Sequence, residues 1–182
     1  GLNKEDDIFA PIIQSTKRRT LWLGANLITA ILAAAAIGIF EATIEKIVTL
    51  AILMPIVASM GGIAGMQSLA LVIRSQATNQ IGSSNSKLLI LKESAIGVLN
   101  GILWSSVVSI AVYLWFDSVF LGVVIAVALL VNLIIGAISG VTLPLILKKL
   151  NIDPAIAGGV ILTTITDIVG FISLLGVATL IM

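Results

Sequence analysis

The chain alternates between long unbroken apolar runs and short polar segments. Apolar runs extend from Thr20 to Phe40, Ile47 to Ile73, Ser94 to Phe116 and Ser118 to Leu147, and a last run from Pro154 to Met182 is interrupted only by Asp167. Each is long enough for the roughly 20 residues that a helix needs to cross about 30 Å of hydrocarbon. The runs are continuously apolar instead of alternating, which favours helices over barrel strands, and a helix closes its own backbone hydrogen bonds without water. The pattern predicts an all-α integral membrane protein with five transmembrane helices, at about 20–40, 47–73, 94–116, 119–147 and 154–181, forming one unit over 20–182. Ahead of it, KEDDIFAPIIQSTKRR mixes charge with a few apolar residues, as a cytoplasmic linker helix over 1–19 would.

An odd number of spans puts the termini on opposite sides, and the basic residues decide which side is which. With the N-terminus cytoplasmic, every basic residue except Lys46 falls inside: Lys4, Lys17, Arg18, Arg19, Arg74, Lys87, Lys92, Lys148 and Lys149. The outer turns carry Glu41, Glu45 and Asp117. The C-terminus is therefore expected outside. The first apolar run is too long for a signal peptide and lacks a small-residue cleavage site. The polar segment QATNQIGSSNSK, Gln76 to Lys87, is the one long connection and reads as a flexible cytoplasmic hairpin. No internal repeat is visible, so the inverted-repeat plan of many transporters gains no support.

Composition narrows the chemistry. Of 182 residues 59% are hydrophobic and 10% charged, and the mean hydropathy of +1.20 lies far outside the range of a soluble domain. The chain has no cysteine, hence no disulfide or thiolate metal site. It has no histidine either, the usual near-neutral acid/base and a common ligand for zinc or copper. No nucleophile–base pair stands out, so neither an enzyme nor a nucleic-acid partner is expected; the lipid bilayer is the environment.

Against this background the polar groups inside spans matter most. Asp167 lies near the middle of the last run, where a carboxylate costs a few kcal/mol or more (about 3 on insertion scales) unless compensated. Thr163, Thr164 and Gly170 lie three or four residues away and share its helix face. No span contains a basic residue to pair with it. Two readings remain: a protonated packing residue bonded to threonines of a neighbouring helix, or an acid that meets a cation from solution. A second unusual stretch, MPIVASMGGIAGMQS, puts Pro55, Gly61, Gly62 and Gly65 inside the second span. These predict a break near Gly61 whose freed carbonyls could face an ion. They fit equally a tight helix contact through Gly61, Ala64, Gly65 and Ser68, and the two readings are compatible. In the fourth span Asn132 precedes GAISG, where close packing is the default, and Pro144 is expected to bend the cytoplasmic end. Asn26 and Asn100 read as interhelical hydrogen bonders.

One acid per chain is thin provision for a divalent ion. Magnesium keeps most of its water and contacts only one or two carboxylates, so a twofold homodimer bringing two copies of Asp167 together would balance its charge. Manganese, calcium and cobalt fit the same oxygen chemistry, whereas zinc and copper are disfavoured.

Several segments together carry a family resemblance. FEATIEK (Phe40 to Lys46), MPIVASMGGIAGMQSLALVIRSQAT (Met54 to Thr78), LKES (Leu91 to Ser94) and DPAIAGGVILTTITDIVG (Asp153 to Gly170) resemble the membrane domain of the MgtE family of magnesium channels, in order and over nearly the whole chain. The resemblance implies a homodimeric pore in the cell (inner) membrane that passes Mg2+ down its electrochemical gradient. It also implies that Asp167 is the ion-binding acid, with Thr163 close to the same site, and that Gly61, Gly62 and Gly65 give pore-facing backbone. Two departures stand out. Ile63 and Met66 occupy positions where the family usually shows GGNAGTQ, and the cytoplasmic N and CBS domains that sense magnesium in the family are absent. The chain is thus a short member or the membrane part of a longer protein. Rival readings are a proton- or sodium-coupled cation exchanger, with Asp167 alternately protonated and charged, and a non-conducting membrane assembly subunit.

Overall fold

The computed structural model describes residues 11–78 and 85–182. These form six helices: α1 (Ile12–Gly38), α2 (Glu41–Lys46), α3 (Thr49–Ala77), α4 (Ser86–Phe116), α5 (Val119–Lys149) and α6 (Pro154–Ile181). Among the described residues there is no strand, and all the helices but α2 are long and apolar enough to cross a membrane. The protein is a multi-pass helical membrane protein. Its outer faces carry exposed Leu21 and Ile28 of α1 and Leu99, Ile110 and Leu114 of α4, which lipid solvates as well as a protein interior would.

The helices outrun the apolar stretches that announce them. From Ile12 the chain is helical and runs unbroken into the first span, so the described part of the expected linker helix is the beginning of α1. The rest of that segment, and residues 79–84 of the polar hairpin, lie outside the described residues. Helix α4 begins at Ser86, well before Ser94, and so takes Glu93 into its interior. The short α2 occupies what reads as a turn.

Local chemistry explains the reversals. Helix α4 stops where Asp117 adopts a left-handed conformation (φ 49°), and the Ser118 hydroxyl then caps α5 by accepting from the Leu121 amide at 3.3 Å. At the other end of α5, Lys148 and Lys149 occupy the last turn and complement the helix dipole. Asp153 then caps α6, accepting from the Ala155 amide at 2.8 Å, and Pro154 stands at a position where its missing N–H loses no bond. The connections leave α2 and Asp117 at one end of the bundle and Arg74, Lys87, Lys148 and Lys149 at the other.

Helix α5 is the axis of the fold, packed along α3, α4 and α6, while α6 also packs on α3 and α1. Toward the acidic end the contacts are large aliphatic side chains: Leu50, Leu53 and Val57 of α3, Ile125 and Leu129 of α5, Leu174 and Leu175 of α6. Toward the basic end small residues take over and the backbones approach. Helix α3 stays helical through Gly61, where a break was expected. Its glycines are occupied by contact with α5: a Cβ on Gly65 would lie 2.9 Å from the Gly136 carbonyl oxygen, and one on Gly136 would lie 2.6 Å from that of Gly61.

Candidate functional site

Asp167 lies midway along α6, partly buried, and makes no hydrogen bond or ion pair among the described residues. The threonines around it are committed to their own helix. Thr163 donates to the carbonyls of Gly159 (3.0 Å) and Val160 (3.1 Å), and Thr164 donates to that of Val160 at 2.7 Å. Thr166, fully buried, donates to Leu162 and Thr163. A hydroxyl whose proton is held this way keeps only acceptor capacity. The face around Asp167 is thus acceptor-rich and short of donors. Gly170, expected beside Asp167, is instead buried against α5 and α3: its Cβ would stand 2.8 Å from Asn132 Nδ2 and 3.1 Å from Val57 Cγ1.

The glycines of α3 divide between two neighbours. Gly61 and Gly65, expected on an ion path, are buried against Asn132, Gly136 and Leu162. Gly62 alone turns to α6 without crowding, where its Cβ would meet the Thr166 hydroxyl at 3.7 Å. Of the five predicted site residues, Asp167 and Thr163 lie one turn apart on α6, Gly62 turns toward Thr166 of the same helix, and Gly61 and Gly65 pack closely against their neighbours. Ile63 and Met66 are 55% and 44% exposed, so neither fills the core. The far end of Met66 lies over Gly159.

Asn132 does more than fill space. It is fully buried between Gly61 and Gly170, and its Nδ2 donates to the Val57 carbonyl at 2.7 Å, joining α5 to α3. Its Oδ1 has no hydrogen-bond partner among the described residues. Asn26 and Asn100, expected to bond between helices, are both exposed and make no side-chain bond across helices among the described residues.

Sequence reasoning missed one group. Glu93 is only 6% exposed, and its Oε2 accepts from the Ser68 hydroxyl of α3 at 2.8 Å. It opens a buried stripe of Glu93, Gly97, Gly101 and Ser105 at four-residue spacing along α4. That spacing was the available signal. A count of apolar residues stops at a charge, so the sequence places the start of the third span just after Glu93.

The fold is a five-span helical membrane bundle with a carboxylate halfway along one helix that has no partner among the described residues. Residues 54–177 match the model of the MgtE family, described as a divalent cation transporter, and the chain belongs to that family. It is 37% identical over 162 residues to the magnesium transporter MgtE of Bacillus subtilis (strain 168), covering 89% of this chain and 36% of that protein. Proteins of the same name from Enterococcus faecalis and Thermus thermophilus are 29% and 30% identical over 93% and 90% of this chain, and 38% and 36% of their own lengths. The chain thus spans little more than a third of these relatives.

Proposed function

We propose that the chain forms a homodimer in the cell (inner) membrane and conducts hydrated Mg2+ between its subunits, with the basic end of the bundle cytoplasmic. The observation that carries this reading is Asp167: a carboxylate at mid-helix with no donor or cation beside it among the described residues calls for compensation from outside them. Two copies facing one axis supply two charges for a divalent ion. The water shell of magnesium turns its hydrogens outward, so it is held by acceptors, and the Asp167 carboxylates and the Thr163 hydroxyl are acceptors of that kind. Gly62 would give the close approach of α3 to the path. The magnesium transport named for the relatives agrees with this ion, and oxygen-only chemistry in a chain without cysteine or histidine fits it.

The test is Mg2+ flux into proteoliposomes under an imposed membrane potential, with no proton or sodium gradient. Wild type is expected to conduct, and Asp167→Ala and Asp167→Asn to lose on the order of a thousandfold, the factor that a single pair of unit charges about 4 Å apart contributes at an effective dielectric of about 20. Undiminished flux in both variants would move the site elsewhere. Flux that appears only with a proton or sodium gradient would replace the channel by an exchanger, and none under any gradient would leave an assembly subunit.

A further inference from the structure

A second buried carboxylate, Glu93, stands outside the site around Asp167. Glu93 lies in the first third of α4, toward the end of the bundle that carries Arg74 and Lys87, whereas Asp167 is halfway along α6. Among the described residues no cationic side chain pairs with Glu93, and its hydrogen bond comes from the neutral Ser68 hydroxyl. Beside it is a cavity of about 270 Å³ between α3, α4 and α5. Leu133 and Ala137 of α5 form part of the wall, and Gln67, Ser68, Glu93 and Asn100 supply its polar lining. This answers why Gln67 and Asn100, exposed amides in membrane-spanning helices, do not bond to each other's helices: both face a space large enough for an ion and several waters.

We infer that this cavity is a binding site for a monovalent, sodium-sized cation, with the Glu93 carboxylate as its charge and the oxygens of Ser68, Gln67 and Asn100 as neutral ligands. Buried charge in a low-dielectric setting must be balanced, and the cavity holds one carboxylate. A single positive charge brings the site to neutrality, while a divalent ion would leave an uncompensated charge. Among the described residues there is no group of three acidic, histidine or cysteine side chains that could cage a divalent ion. The ligands are all hard oxygens, since the Ser68 proton is already given to Glu93 and its lone pairs remain free. Bound there, the cation ties α3 to α4, helices that otherwise meet mainly through α5. The site is independent of transport, so its test reads stability.

The experiment compares thermal unfolding of the purified protein in sodium chloride, in N-methylglucamine chloride and in magnesium chloride at equal ionic strength. Sodium is expected to raise the wild-type Tm over N-methylglucamine by about 3–5 °C when present at roughly ten times its Kd. Glu93→Gln, which keeps an acceptor for Ser68, is expected to abolish the shift. Asn100→Leu, which keeps the charge and removes one ligand, is expected to need about tenfold more sodium for the same shift, and ²³Na line broadening on wild type and Asn100→Leu decides the matter should Glu93→Gln not fold. A wild-type Tm indifferent to sodium overturns the site. So does a sodium shift that survives Glu93→Gln, and a Glu93-dependent shift given by magnesium alone overturns the monovalent assignment.

Discussion

Helix α3 meets its two main neighbours in different ways. Against α5 it sets backbone on backbone: Gly61, Gly65, Gly136 and Gly140 leave no room for a Cβ, and Asn132 closes the space beneath Gly61. Against α6 its glycines and their counterparts touch only side-chain ends, those of Leu162, Thr166, Val57, Met66 and Leu69. One joint is fixed by atoms that cannot move, and the other is made of parts that can rotate away. Gly61 and Gly62 are adjacent in sequence and fall on opposite sides of this division. What a glycine does is decided by its partner, and the residue type by itself says little.

Substitutions can test that division directly. The largest effect is expected at Gly140, where a Cβ would run into the Gly65 carbonyl and the side chain of Ser68. Gly140→Ala should cost about 3 kcal/mol in unfolding measured in mixed micelles, and a neutral result would show that the α5 joint yields. Asn132→Ala comes next, at about 1 kcal/mol, because loss of the bond to Val57 and of packed volume outweighs relief of the unpaired Oδ1. The smallest effect has the opposite sign. Gly62→Ala meets Thr166 only at ordinary contact distance, so helix propensity should prevail and stability should rise by roughly 0.5 kcal/mol. A loss at Gly62 as large as that at Gly140 would erase the distinction between the joints.

The five spans were legible because lipid imposes one simple demand, a long apolar run, and each run meets it. Their ends were less legible. Glu93 ended the count of apolar residues although α4 had begun at Ser86, because a charge facing a cavity looks in sequence like a charge facing water. What the glycines of MPIVASMGGIAGMQS pack against could not be read from that stretch, since the atoms they meet belong to Asn132, Gly136 and Gly140, far along the chain. Asp167 was legible as an anomaly from its surroundings alone. That its neighbour Gly170 serves packing needed the position of Asn132.

The placement of α1 has a mechanical consequence. Few of its residues are buried, against about half of those in the most apolar part of α5, and it packs chiefly on α6. It is a cantilever whose bearing is the helix that carries Asp167, while α3, α4 and α5 form the frame behind. A sideways load on α1 is therefore delivered to α6 before it reaches any other part of the molecule.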